Sequence, residues 1–453
     1  MADSHNPVTK EPSTTTVLVV PLIDRNQNPS IILLKKDELT VTEEEELEEK
    51  LEKLNNFLFL FGFHQSSLTG ILISWFSFVI IGVSAPVLIL SLLPICSGCE
   101  KYQISKFELD ILASRSLLSA ISLLCMSHNL RKRGIRKFLF VDRYHGHIGK
   151  FRKQYIQMIQ GFFRLLVMWM LPCFLLKTIR EVIRVIYVGH DSWWISVAIM
   201  FALLSSWTYS TIISLSASVL FYLVCNLQDI HFAEYKKLLE RDTDVTALID
   251  EHLRLRHHLS KISHRFRIFL LSEFLVVTST QVLTLFRTTE YQGIITAING
   301  GDFAVSSIVQ TVGISICLHA AAKISHRAER VASIASQCHA LLTSNSPDPS
   351  CMRGSKSVGN FQAFANPRRT IPAVFSESDL ESLDGIGQPN YTQMASSYNK
   401  RQAFVTYLQS NRAGVTIYGW TVNRELISTV FLSELSLILF VLGKTVIFTS
   451  QPT

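Results

Sequence analysis

With 48% hydrophobic and only 17% charged residues over 453 positions, the chain carries sparse charge for a soluble protein of its size and is long enough for one membrane domain with tails. Its formal net charge of +7 calls for no nucleic-acid partner, because Lys and Arg gather beside apolar segments, where membrane orientation and anionic lipid account for them. The partner that composition implies is the lipid bilayer.

Residues 1–41 read as a disordered cytoplasmic tail rich in Pro, Ser, Thr and Asn, without the apolar stretch of a cleavable signal peptide. A cytoplasmic, interfacial helix is expected over 42–67. Thr42 and Glu45 have the spacing of a capping box, and Glu46 with Lys50 and Glu49 with Lys53 stand four residues apart. The apolar stretch 57–63, interrupted by Gly62, is too short to span and is placed at the inner membrane interface. Seven longer apolar segments follow, at roughly 71–94, 109–126, 162–176, 193–225, 268–286, 303–322 and 427–447. Each is near the ~20 residues that cross a bilayer, with the third short and the fourth long. Of the 43 Lys and Arg residues, 34 fall in the N-terminal tail and the second, fourth and sixth loops, and 6 in the remaining loops and the C-terminal tail. Positive charge stays cytoplasmic, so the N-terminus is expected inside and the C-terminus outside, the reverse of a G-protein-coupled receptor.

Just beyond the first segment, Cys96 and Cys99 lie on the exoplasmic side, equally a local disulfide or two free thiols. Transmembrane helices one to six, with long cytoplasmic extensions, are expected over 68–343. The fourth loop is the main reason for the extensions: from 242 to 286 there is no Pro or Gly, and Leu248, Leu255, Leu259, Ile262 and Phe266 recur at helical spacing. A helix of that length measures about 65 Å at 1.5 Å per residue, of which a bilayer takes about 30 Å. The rest projects into the cytosol, and its apolar stripe needs a partner in the same chain or another subunit. The sixth loop continues helically to 343, becomes disordered over 344–396, and contains the sequon Asn390-Tyr391-Thr392, expected to stay unglycosylated inside. A cytoplasmic helix and the seventh transmembrane helix occupy 397–448, with a break at Gly414, and 449–453 is an exoplasmic tail. No nucleotide-binding glycine loop, catalytic triad or metal-ligand cluster occurs, so no enzyme, cofactor or metal site is expected; no internal repeat supports a transporter.

Polar groups inside the segments carry the functional signal, since a charge at the bilayer centre costs roughly 3 kcal/mol on insertion scales. Arg164 and Glu273 lie near segment ends, where snorkelling and structural roles suffice. Arg115 and Glu434 lie deeper; each is a candidate to line a cavity or a pore, or the two are partners in a structural ion pair. The seventh segment carries Ser428, Thr429, Ser433, Glu434 and Ser436 on its inner half, then Leu437, Phe440 and Val441 on an apolar outer half, and ends at Gly443 and Lys444. A polar half followed by an apolar constriction suits a gated conduit, which makes Thr429, Ser433, Glu434, Ser436, Leu437, Phe440, Val441, Gly443 and Lys444 pore-lining candidates. The alternative is that the hydroxyls bond their own helix carbonyls. In the fourth segment, serines including Ser206 suit close helix packing, and Trp193 and Trp194 suit an outer interfacial belt. Arg115, Trp169, Ser206 and Tyr209 are the ligand-pocket candidates, with simple packing as the alternative for the aromatics.

The entry to the last segment, Gly419-Trp420-Thr421-Val422-Asn423-Arg424-Glu425-Leu426-Ile427, is similar to the aromatic–Thr–apolar–acidic–Arg pattern of insect gustatory receptors, with Asn423 at the acidic position. Together with seven spans, inverted topology and a Ser/Pro-rich insertion, it resembles the gustatory-receptor-like superfamily, and within it the plant branch defined by a domain of unknown function. The resemblance covers about 56–448. It implies an all-α, seven-transmembrane-helix protein with the insect chemoreceptor-like fold, N-terminus cytoplasmic and C-terminus exoplasmic. It further implies a homotetrameric, ligand-gated-channel-like chemoreceptor of unknown small-molecule ligand, with the last helix lining a central pore. A plasma-membrane location is the default. Ser436 and Leu437 replace an insect Thr-Tyr pair, and Gly443 and Lys444 a Gln-aromatic pair. A ring of four Lys444 side chains at the outer pore mouth disfavours cations. A non-conducting membrane scaffold or signalling protein of the same fold, or a transporter, is the alternative.

Overall fold

A computed structural model describes residues 29–65, 67–92, 105–140, 147–187, 193–240, 244–290, 297–343, 390–411, 413–422 and 424–449. Residues 1–28 of the tail, the Cys96 and Cys99 pair, 344–389 of the sixth loop, Asn423 and 450–453 lie outside the described residues. Ten α-helices dominate: α1 Pro29–Leu60, α2 Leu68–Ser77, α3 Ala85–Leu92, α4 Ser105–Leu139, α5 His147–Tyr187, α6 Trp193–Glu240, α7 Val245–Glu290, α8 Ala297–Thr343, α9 Asn390–Ser410 and α10 Arg424–Thr449. A π-helical turn, Phe78–Ser84, joins α2 to α3 without a break, so the first apolar segment is one rod of 68–92.

Among the described residues, six helices are long and apolar enough to cross a membrane, and they overlap the first six expected segments. Their outward faces are apolar: Leu72, Phe76, Val167, Met168, Leu171, Ile186, Ile268 and Leu275 are all more than half exposed. Soluble proteins rarely expose contiguous apolar patches beyond a few hundred Å², so this belt faces lipid, and the chain is an integral membrane protein.

The centre of the bundle is α6. In its apolar stretch 89% of residues are buried, against 22% in that of α5. Small hydroxyl side chains make this position possible, because they let backbones approach where lipid leaves no hydrophobic drive between helices. Ser119 Oγ of α4 donates to the carbonyl of Ser210 at 2.8 Å. Ser218 Oγ donates to the Glu273 carboxylate of α7 at 3.0 Å, and a Cβ on Gly313 of α8 would meet that carboxylate at 3.1 Å. The packing role expected for the serines of this segment is what they perform, and Glu273 is a buried structural group at the meeting of α6, α7 and α8.

Beyond the apolar belt, the helices continue into a bundle with a charged surface at the end where α4 and α6 finish and α5 and α7 start. Leu248, Leu255, Leu259, Ile262 and Phe266 are all buried, so the partner of the apolar stripe is the same chain. The Phe266 ring packs between Phe138 at 5.7 Å and Phe221 at 4.9 Å. Gly134, at φ +70°, bends α4 so that Phe138 turns inward. Phe404 and Leu408 of α9 close the same core. Acidic α1 is strapped across the bundle by Glu43 to Lys153 at 2.9 Å, Glu44 to Arg152 at 3.4 Å and Glu48 to Arg136, and Glu49 pairs with Lys53 as expected.

Four boundaries differ from expectation. Helix α1 begins at Pro29, which suits a first helical turn, so Thr42 lies inside the helix rather than capping it. Helix α5 does not stop near residue 176 but runs to Tyr187, so Lys177, Arg180 and Arg184 are helical and not loop charges. Helix α9 begins at Asn390, which makes 390–396 helical rather than disordered. After Gly414 the chain forms a hairpin, β1 Thr416–Ile417 and β2 Trp420–Thr421, whose two turn residues Tyr418 and Gly419 both have positive φ, at 48° and 92°. That is the primed-turn geometry whose twist matches a two-residue β-hairpin, and it tolerates Gly best.

Phe266→Ala is expected to destabilise the protein by about 3–5 kcal/mol, as for other buried aromatic truncations. Leu253→Ala, on the exposed side of the same helix, is expected to stay within about 0.5 kcal/mol. Thermal unfolding of detergent-solubilised protein distinguishes the two; equal losses would contradict the buried position of the stripe.

Candidate functional site

Sequence spacing places Lys177, Arg180, Glu181 and Arg184 on one face of α5, since residues three and four apart are neighbours on a helix. That face turns into the bundle near the end where α5 finishes. Glu108 reaches it from the first turn of α4, and Asp302 from near the start of α8. Lys177 Nζ bonds Glu181 Oε1 at 2.8 Å and also contacts Asp302. Arg180 contacts Glu108, bonds Glu181 Oε1 at 2.7 Å and approaches Asp302 at 4.0 Å. Arg184 Nη1 reaches Glu181 Oε2 at 3.4 Å. Glu181 is thus gripped by three cations, and its side chain is 2% exposed. Arg115 of α4 faces the same space. The cavity holds about 30 Å³ and has an apolar wall of Pro86, Leu90, Leu112 and Leu203.

Two features set this cluster apart from an ordinary ion-pair network. Four cations, Arg115, Lys177, Arg180 and Arg184, meet three carboxylates, Glu108, Glu181 and Asp302, around one cavity. In addition, Nε of Arg115 and Nη2 of Arg184 are buried with no hydrogen-bond partner among the described residues. Buried N–H donors are normally satisfied, and a buried net charge is costly.

Of the four ligand-pocket candidates, only Arg115 lines this cavity, and it lies beside Glu181 and Asp302. Ser206 is buried in α6, with its hydroxyl unpartnered among the described residues. Tyr209 packs near Phe61, with ring centroids 6.3 Å apart, and Trp169 lies partly exposed on the lipid side of α5. The buried tryptophan of this region is Trp207, packed with Cys173 and Val305. Trp193 and Trp194 are exposed at the start of α6, as interfacial anchors are. A larger hollow of about 650 Å³ lies between α1 and α5, under Lys50, Lys53 and Arg164, but its walls Val167 and Met168 belong to the lipid-facing belt.

The pore-lining candidates lie on α10, which packs against α8 and α7. Thr429, Ser433, Ser436 and Phe440 are exposed, while Leu437 and Gly443 are partly so. Thr429 Oγ1 donates to the carbonyl of Glu425 and Ser433 Oγ to that of Val430, both at 3.0 Å. The side chains of Glu434, Val441 and Lys444 lie outside the described residues. Among the described residues no group of three or more His, Cys, Asp or Glu is placed to hold a metal ion.

The residues that sequence reasoning passed over are Lys177, Arg180, Glu181, Arg184, Glu108 and Asp302. Their signal is a Lys-x-x-Arg-Glu-x-x-Arg spacing on the side where basic residues are otherwise scarce. Glu181→Gln is expected to cost about 3–5 kcal/mol, because it leaves three buried cations undercompensated, whereas Glu49→Gln on the exposed face of α1 changes little. Equal thermal midpoints for the two variants would contradict the buried network.

Comparison with known proteins gives three results. Residues 49–433 match the family described as "Protein of unknown function (DUF3537)". No curated protein matches. Among solved structures, the insect olfactory receptor OR5 from Machilis hrabei aligns over 86% of this chain and 99% of that one, at 11% sequence identity and a TM-score of 0.45. The family match takes in all six apolar helices, both walls of the charged cavity and the first part of α10, and the chain belongs to the DUF3537 family of proteins of unknown function.

Proposed function

We propose that this protein is a receptor-like membrane protein that assembles as a homotetramer around α10, with its N-terminus cytoplasmic and its C-terminus exoplasmic. Helix α10 lines a central pore, and the charged cavity takes a small-molecule ligand from the exoplasmic side. The observation that carries this reading is the one-sided packing of α10. Val430 is 7% exposed, yet Phe431, Leu432, Leu439 and Phe440 are 46%, 62%, 58% and 45% exposed, and the hydroxyl residues Thr429, Ser433 and Ser436 are exposed as well. A span that presents both apolar and hydroxyl faces is suited to two neighbours, a packed copy of itself and water. A head-to-tail contact that closes on itself makes a ring.

Coupling between cavity and pore has a physical route. Helix α8 carries Asp302 in the cavity and Ser325 about 35 Å further along, at 1.5 Å per residue. Ser325 Oγ accepts the Val415 amide at 3.2 Å, and Ser263 of α7 accepts the Thr416 amide at 3.2 Å, which fixes the hairpin leading into α10. Val415 and Val422 of that hairpin are buried, so a shift of α8 moves the entry to α10.

Planar-bilayer recordings of the purified protein test this reading. Channel openings are expected in the wild type. Lys444→Gln is expected to raise cation over anion permeability, read as a shifted reversal potential in a salt gradient, because it removes positive charge from the pore mouth. Glu434→Ala is expected to change unitary conductance. Absence of openings in both chloride and acetate solutions would contradict conduction and favour a scaffold.

A further inference from the structure

We infer that the charged cavity is a binding site for a small monoanion, a halide or the carboxylate group of an organic acid, held between Arg115 and Arg184. The inference deepens the ligand-pocket reading above by naming the ligand class, and it does not depend on whether the protein conducts.

Three observations converge. The groups lining the cavity carry one more positive than negative charge, and a single anion balances them. The two unpartnered buried donors, Nε of Arg115 and Nη2 of Arg184, belong to residues on different helices that face the same space. Each of the three carboxylates already engages a cation, and the buried polar atoms of the lining left without a partner among the described residues are both donors, which suits an acceptor and not a cation. Arg115 forms no ion pair among the described residues, which leaves its planar guanidinium for a carboxylate or halide.

Size narrows the class. A cavity of about 30 Å³ exceeds the ~10–15 Å³ that one water requires, so it admits a halide or the two oxygens of a carboxylate. The apolar wall of Pro86, Leu90, Leu112 and Leu203 would contact the hydrocarbon part of a short organic acid. A bulky polyhydroxy anion such as gluconate does not fit, and a dianion would overshoot the single excess charge.

The test uses the full-length protein in nanodiscs, held in sodium gluconate and titrated at constant ionic strength with sodium chloride or sodium acetate while the thermal midpoint is followed. A saturable rise is expected, because a ligand that binds only the folded state stabilises it. A rise with both anions marks a general monoanion site; a rise with acetate alone marks a carboxylate site. Arg115→Gln, which breaks no ion pair among the described residues, is expected to weaken the response about tenfold or more, as loss of a charge-assisted hydrogen bond does. Arg184→Gln is expected to weaken it as well. If either variant fails to fold, binding of radiolabelled chloride and acetate to the wild type decides, with one displaceable anion per chain expected for at least one of them. No anion-dependent shift and no displaceable anion would overturn the inference, as would a shift unchanged in both arginine variants. A shift in a protein that shows no channel openings would retain the anion site and remove the conduction reading.

Discussion

Everything in this fold is positioned by the enclosure of α6. A helix surrounded by others in lipid gains nothing from exchanging lipid contacts for apolar side chains, so its place depends on close approach and on hydrogen bonds between helices. Ser119 to the Ser210 carbonyl and Ser218 to Glu273 are such bonds, and each ties α6 to a different neighbour. The N-terminal half of α6 contributes Leu203 to the charged cavity. Its C-terminal end contributes Tyr235, whose hydroxyl donates to the Leu248 carbonyl at 3.0 Å at the root of α7. The cavity and the bundle built on Tyr235 and Phe266 are therefore at two ends of one packed rod.

The charged cavity is costly by itself. Desolvating seven ionised groups is repaid only by near-complete pairing, and a hydrophobic replacement of similar volume often matches or exceeds the stability of a buried pair. Ionisable residues inside membrane domains accordingly mark functional positions. Here the pairing is dense around Glu181 and incomplete at Arg115 and Arg184, and the incompleteness is what a ligand would satisfy.

Much of the architecture was legible because lipid imposes strong rules. Six apolar stretches, the central serine-rich span and the stripe from Leu248 to Phe266 all followed from period and composition, and the structure places the stripe in a core shared with Phe138, Phe221 and Leu408. The cavity was not legible for a physical reason. Hydropathy falls at Lys177, which marks an end to the third span in the sequence, yet α5 continues because those charges are neutralised by Glu181 on the same helix and by Glu108 and Asp302 far away in sequence. The bond from Lys177 to Asp302 crosses 125 residues, and no local pattern announces it. Arg115 stood out as an isolated intramembrane charge, but its surroundings depend on tertiary packing. The hairpin before α10 was missed because two-residue strands leave no periodicity, and its turn is set by positive φ at Tyr418 and Gly419.

Helix α10 leaves Phe431, Leu432, Leu439 and Phe440 exposed in the single chain, and its surroundings decide the account. A cryo-EM map of the protein in nanodiscs is the most direct test. The account predicts four copies with α10 innermost around a central axis, and with each charged cavity at the outer end of its own bundle, away from that axis. A single chain, or an assembly whose α10 helices face lipid at the periphery, would contradict it.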